Sequence, residues 1–272
     1  MKRPFVVENR SGTNRFDGYS RLLKGIMKNL ALSVALVAGL VLGNQSVHAQ
    51  AGPPSNFNKT LMKIFGKNNA FSATADIKVS DAKSNTESTS LTMKMAYLDG
   101  KVRADVDMAN MKSAELPPEA IEQMTAMGMD KMTTIVLPDT KTMLLIYPSM
   151  NAYTEMPMAQ EESAALEKEP KMVKTVLGKE TIDGHPTVKH KVIITDETGK
   201  AQEMTIWNAT DLKDFPIKME TIEEGSKVVM TYKDIKLGKP DATLFEAPKT
   251  AKKYASAQQM IMEKMMQQQQ QP

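Results

Sequence analysis

Two proline-bearing turns divide the stretch Met132–Met156, MTTIVLPDTKTMLLIYPSMNAYTEM, into three short runs, and this restricts the chain to antiparallel β-structure more than any other feature. Thr133–Leu137 and Thr142–Tyr147 are rich in β-branched and aromatic residues, while Pro138-Asp139 and Pro148-Ser149 carry turn chemistry. Proline fixes φ and has no N–H to give a ladder, so both fall between strands. Asn151–Met156 then completes a predicted three-strand meander. In Thr142–Tyr147 both faces are apolar, with Met143 and Leu145 opposite Leu144 and Ile146. Such a strand is buried on both sides, which leaves open the face that meets a ligand.

The period-2 pattern continues on either side. Phe71–Ser80 sets Phe71, Ala73, Ala75, Ile77 and Val79 against Ser72, Thr74, Asp76 and Lys78. After a polar loop over 81–89, Leu91, Met93, Met95 and Tyr97 alternate with polar or small residues, and Asp99-Gly100 is a two-residue hairpin signal. Val102, Ala104, Val106 and Met108 then face inward, with Arg103, Asp105 and Asp107 on an expected wet face. Met172–Leu177 leads into further strands, expected at Thr181-Ile182, Thr187–Thr195, Glu203–Asn208, Ile217–Ile222 and Lys227–Ile235. About ten short strands make a large antiparallel sheet that must curl or close to bury one face.

Helical spacing is confined to short inserts. Phe57, Leu61, Ile64 and Phe65 form a short helix that Gly66 ends. Pro117-Pro118-Glu119 opens a second, with Ile121, Met124, Thr125 and Gly128 on one face, and the charged run 160–168 is a third. The fold class is therefore mainly β with α inserts, the helices covering the open side of the sheet.

The ends have their own logic. Leu30–Leu42 is a 13-residue apolar run after Lys28, followed by Val47-His48-Ala49. It falls short of the roughly 20 residues a spanning helix needs and suits a signal peptide, residues 27–49, cleaved after Ala49. Residues 1–26 hold every arginine but Arg103, so Met27 is read as the start and residues 1–26 as an extension. Residues 50–252 form the predicted β domain, and 253–272, rich in Met and Gln, a frayed helix or disordered tail. Export to the periplasm or outside the cell follows.

Composition then excludes several functions. Residues 1–49 carry 7 of the 35 Lys/Arg and 2 of the 32 Asp/Glu, so the processed chain has 28 basic and 30 acidic side chains. No clustered basic face for nucleic acid is evident. With no cysteine there is no disulfide, zinc ribbon, thiol nucleophile or lipidated cysteine. No nucleophile elbow, phosphate loop, dinucleotide fingerprint or zinc-protease motif occurs. His185 reads as a turn residue and His190 as a core or boundary residue. No catalytic residue, metal ligand or cofactor is assigned, and the protein is expected not to be an enzyme.

Methionine is the unusual component, 23 in all. Thioethers hold Cu(I), and Met124, Met127, Met129 and Met132, or Met156 and Met158, are candidate copper clusters. Against this, Met93, Met95, Met108, Met204, Met219 and Met230 take inward strand positions among Leu, Val and Ile. Flexible thioether side chains fill irregular gaps and adapt to apolar ligands. Core packing or an adaptable apolar cavity is the preferred reading.

Leu137-Pro138-Asp139-Thr140-Lys141-Thr142 running into Tyr147-Pro148, Asp99-Gly100-Lys101-Val102-Arg103, and Lys239-Pro240-Asp241-Ala242-Thr243-Leu244-Phe245-Glu246-Ala247-Pro248 carry a family resemblance. In these motifs and in the order of its elements, from about Phe57 to Lys252, the chain resembles the LolA/LolB-like lipoprotein-carrier superfamily, in an exported branch without shown carrier activity. The resemblance implies a half-open β-barrel with a helical lid, binding a lipid or acylated protein as a monomer that does not span the membrane. The cavity wall would then be Leu91, Met93 and Met95; Val102, Ala104 and Val106; Met143 and Leu145; Val192 and Ile194; Met204 and Ile206; and Met219, Val228 and Met230. Ile121 and Met124 would line the lid. These walls are methionine and aliphatic where the carriers tend to be aromatic, and Trp207 lies on the opposite parity from Met204 and Ile206. The alternative is an interaction module of the same fold with a packed core and no ligand.

Overall fold

The computed structural model describes residues 63–114, 118–158, 171–195, 199, 201–223 and 225–269. The extension, the signal peptide, the opening helix before residue 63 and the helix expected over 160–168 lie outside them.

Thirteen strands form one sheet: β1 (Ala70–Asp81), β2 (Glu87–Leu98), β3 (Lys101–Asp107), β4 (Lys112–Ser113), β5 (Lys131–Leu137), β6 (Thr142–Tyr147), β7 (Ala152–Pro157), β8 (Lys171–Ile182), β9 (His185–Thr195), β10 (Ala201–Ala209), β11 (Phe215–Glu223), β12 (Ser226–Leu237) and β13 (Lys252–Tyr254). Among the described residues, helices α1 (Pro118–Ala126) and α2 (Ala257–Gln269) accompany it. The order across the sheet is β13-β7-β6-β5-β3-β2-β1-β12-β11-β10-β9-β8, with β4 beside β2. Two meanders are thus joined where β1 meets β12, and β13 and β8 end the sheet without closing it.

Local chemistry explains most of the corners. Asp99 and Gly100 both have positive φ, +47° and +92°, as do Asp183 and Gly184 at +49° and +84°. Two such residues give the tight turn whose twist matches antiparallel strands. The second turn is shorter than expected, because His185 and Pro186 already belong to β9; Pro186 sits second in the strand, where its missing N–H does least harm. The meander forms as expected, with Pro148 opening a 3₁₀ turn that Asn151 ends in the left-handed region. α1 closes similarly at Gly128, φ +73°, where a Cβ would lie 3.0 Å from the Met150 Cγ.

Four expectations are corrected. The sheet is mixed, since β13 runs parallel to β7. β2 begins at Glu87, inside the expected loop, because Asp81 ties the turn together by accepting from the Lys83 and Ser84 N–H groups. β8 is one 12-residue strand, where separate segments at Met172–Leu177 and Thr181-Ile182 were expected; a bulge between Val176 and Gly178 absorbs the glycine. Among the described residues from 252 on, Lys252–Tyr254 is a strand and Ala257–Gln269 a helix whose Met260 and Ile261 are buried in the core, where a frayed or disordered tail was expected.

Candidate ligand-binding face

Register decides what the concave face collects. Ala75 pairs with Met93 and Tyr232, Met93 with Val106, Val136 with Met143, Met219 with Met230, and Met204 with Val192. Because side chains alternate strictly along each strand, these pairings carry all fifteen predicted wall residues to one face. Thirteen are buried in a single cluster, and Ala104 and Leu145 pack against it half-buried. Val192 and Ile206 are 0% exposed.

The cover over this face differs in part from expectation. Met124 of α1 is fully buried in the cluster, but Ile121 is half-buried and outside it. Ala120 is the buried partner of Met124, one turn apart, so the inward stripe of α1 lies one position away from the predicted one. Met108, Met111, Met129 and Met132 join the same cluster, together with Met260 and Ile261 from α2. The methionines named above as candidate copper clusters, Met124, Met127, Met129, Met132, Met156 and Met158, all lie in or against this apolar cluster.

One end of the face is aromatic, contrary to the methionine-and-aliphatic wall expected. Phe65 lies 4.6 Å from Phe71, 5.3 Å from Phe215, 5.8 Å from Tyr232 and 6.0 Å from Tyr97, centroid to centroid, and Phe71 meets Phe215 edge-on at 4.9 Å. Such tilted and edge-on contacts suit the ring quadrupoles. Burial pushes the Tyr97 phenol up to about 12, with Asp99 adding to the shift, and raises Tyr232 further still. Tyr147, on the far wing, is also raised to about 12 by burial. Inward parity of Phe71 and Tyr97 was visible in sequence. Their meeting with Phe215 required the β1–β12 and β11–β12 pairings.

Charge is kept to the opposite, convex face. Asp76 meets Lys233 at 2.5 Å, Lys191 meets Glu203 at 2.6 Å, and Lys227 meets Glu220 at 3.3 Å. Part of that face is dry, which corrects the expectation for Arg103 and Asp105. The segment 241–248 crosses it, and Phe245 packs with Ala96, Ile135, Leu144 and Ile146. The two apolar faces of β6 are thereby assigned: Met143 and Leu145 to the concave cluster, Leu144 and Ile146 to the convex one. Trp207 lies on the convex side with Ala209 and Ile217, away from Met204 and Ile206.

Polar side chains on the concave side include Thr134, Thr154 and Thr221, each paired with a wall residue, and a separate group on the β8–β10 wing. His190 pairs with Val176 and Ile206, and its Nδ1 is buried with no partner among the described residues. Asn208 is 3% exposed; its Nδ2 donates to the Asp214 carbonyl at 2.7 Å, while its Oδ1 has no partner among the described residues. Lys174 pairs with Val192 and stays open to solvent, yet partial desolvation holds its amine below the ordinary lysine range, with Asp214 pulling the other way. His185 lies on the exterior, its Nδ1 2.7 Å from Asp211 Oδ2, which fastens β9 to the turn at 210–212.

No described helix is long and apolar enough to cross a membrane. A family described as "Domain of unknown function (DUF4412)" matches residues 88–215, from the start of β2 to the first residue of β11. None of the curated proteins matches the chain. Among solved structures it is similar to a LolA superfamily protein from Nitrosomonas europaea, with 12% identity over 68% of this chain and 93% of that one and a TM-score of 0.32. It is also similar to the lipoprotein LppX from Mycobacterium tuberculosis, with 11% identity over 66% and 93% and a TM-score of 0.36. LprF from Mycobacterium bovis matches at 18% identity over 74% and 100%, with a TM-score of 0.35. The architecture itself, a large open sheet of mostly antiparallel strands with few helices, is the one expected from the strand and turn patterns. At these identities and TM-scores the likeness says nothing about what the chain binds.

Proposed function

We propose that this chain is an exported, non-enzymatic carrier or sensor that holds an acyl chain or similar apolar ligand against the concave face of its sheet. The observation that carries the reading is the segregation of chemistry between the two faces. The concave side gathers fifteen inward apolar positions, six of them methionine, under a cover of short segments, while the Asp76–Lys233, Lys191–Glu203 and Lys227–Glu220 ion pairs lie on the other side. Thioethers repack around guests of different shape at low cost. Export rests on the signal-peptide pattern at Leu30–Leu42.

Burying each CH₂ contributes about 0.8 kcal/mol, so affinity for saturated acyl probes is expected to rise with chain length, by about fourfold per CH₂ while the chain still finds wall to cover. Calorimetric titration of the processed protein with probes of increasing length tests this. Flat affinity across the series overturns it.

A second reading has its own support. Val192, Ile206 and their neighbours are already shielded from water, so a ligand must displace something. On that reading the same residues form a packed core and partners bind outside it. Native mass spectrometry of protein purified from its own compartment separates the two: a lipid adduct supports the carrier, and a bare chain supports the packed module.

A further inference from the structure

On the β8–β10 wing the concave face carries a cationic, an imidazole and an amide side chain along one diagonal; elsewhere its polar side chains include threonines paired with wall residues, Thr134, Thr154 and Thr221. Lys174 on β8 stands opposite Val192 on β9; His190 is two residues from Val192 and stands opposite Ile206 on β10; Asn208 is two residues from Ile206. Each step is a diagonal cross-strand neighbour, about 7–8 Å apart and within reach of long side chains. Lys174, His190 and Asn208 therefore form one oblique line on the concave face of the wing, beside Val192, Met204 and Ile206.

Two of the three are incompletely satisfied. A buried polar atom without a hydrogen bond costs about 1–3 kcal/mol, and native proteins seldom leave such atoms without a reason. The Asn208 amide is held by its Nδ2 bond to the Asp214 carbonyl, so its Oδ1 is presented as an acceptor with no donor among the described residues. His190 Nδ1 is buried and equally unmatched. Lys174 makes no ion pair with another described residue, although the Asp214 carboxylate acts on its amine from a distance. The diagonal thus presents a cation, a ring nitrogen and an acceptor at the edge of an apolar wall.

We propose that Lys174, His190 and Asn208 seat the polar end of an acyl lipid whose headgroup combines an anionic oxygen with a hydroxyl. This rests on the acyl-ligand reading above. The Lys174 ammonium pairs with the anionic oxygen, the His190 imidazole with the proton on Nδ1 donates to the headgroup, and the hydroxyl donates to Asn208 Oδ1. The acyl chain then runs from the wing along the methionine and aliphatic wall.

The test uses the processed full chain and four probes of equal acyl length: 3-hydroxymyristate, 1-myristoyl-glycerol 3-phosphate, monomyristoylglycerol and myristyl alcohol. The first two share the anionic and hydroxyl chemistry and distinguish a carboxylate source from a phosphate source. The expected result is that at least one anionic probe binds about tenfold or more tighter than both neutral ones, as a charge-assisted contact implies. Lys174→Gln, a change at a solvent-open edge position, should bring that ratio close to one without altering the unfolding midpoint. His190→Gln should reduce it partially. Equal binding of anionic and neutral probes, or a ratio that survives Lys174→Gln, overturns the seat. Its failure is distinguishable from failure of the acyl reading: chain-length dependence without headgroup preference removes the seat alone, whereas no length dependence removes both.

Discussion

Arg103 Nη1 donates to the carbonyl oxygen of Leu244 at 2.8 Å, across 141 residues of sequence. The same guanidinium donates through Nε and Nη2 to both Asp105 carboxylate oxygens, at 2.9 and 2.7 Å, and Thr133 donates to Asp105 Oδ1 at 2.5 Å. One side chain thus fastens the 241–248 segment to the convex face of β3, with Phe245 as its apolar anchor.

Arg103→Ala should lower stability by about 1–3 kcal/mol, the range for hydrogen bonds to a charged group. Phe245→Ala should cost about 3 kcal/mol. Both release the same segment, so the double variant should lose less than the sum of the two. Urea unfolding measures all three; strict additivity would show that the segment is held piecewise.

Phe65→Ala should cost about 3–5 kcal/mol, because Phe65 touches four other rings and its removal leaves a void that sheet-borne neighbours cannot fill. The near-UV circular dichroism of the tyrosines should weaken in the folded variant. A loss below about 1 kcal/mol would mean that the opening helix is dispensable to the aromatic end.

Asp76 accepts from Lys233 at 2.5 Å and from Thr92 Oγ1 at 2.7 Å, bridging β12 and β2 over β1. The Lys233 bond is the largest cause holding its carboxyl below the ordinary value of 3.8; burial opposes it, and the Thr92 bond adds a lesser lowering. A depressed folded-state value contributes stability that is present above about pH 4 and is lost as pH falls through it. For a pair this open to solvent the contribution is at most about 1 kcal/mol. Asp76→Asn should therefore lower stability at neutral pH and flatten its decline below pH 4; parallel pH profiles for the two proteins would contradict this.

Trp207 is the sole tryptophan, and it is buried on the convex side, its Nε1 donating to Glu180 Oε1 at 2.5 Å. Lys218 and Lys189 lie over its ring, 4.4 and 4.9 Å from the centroid. Loading the concave face should leave its emission maximum unchanged, whereas unfolding should shift it to the red. A ligand-dependent shift would place binding on the convex side.

Much of the fold was legible because the patterns involved are local. Period-2 alternation located β1, β2, β3 and β10, and proline, Asp-Gly and Asn residues located the corners. β4 and β13, two and three residues long, show no alternation to read. β8 was read as two segments, whereas pairing with β9 makes it one strand with a bulge between Val176 and Gly178. The site was legible in its wall residues, since inward parity can be read one strand at a time. Its aromatic end and polar diagonal could not be read in this way, because each assembles residues from strands that are neighbours only in space.

By itself, then, the sequence determined which residues share a face within the regularly alternating strands, since that follows from backbone geometry alone. It also determined the turns, where only certain residues tolerate the required φ. The tertiary structure decided which face became the interior. Leu144 and Met143 are equally apolar, and what separates them is that the 241–248 segment returns over one side while α1 and α2 cover the other. Those returns depend on contacts between residues a hundred or more positions apart. A nearest-neighbour pattern carries no trace of them, and only the pairing of β1 with β12 brings the two halves together.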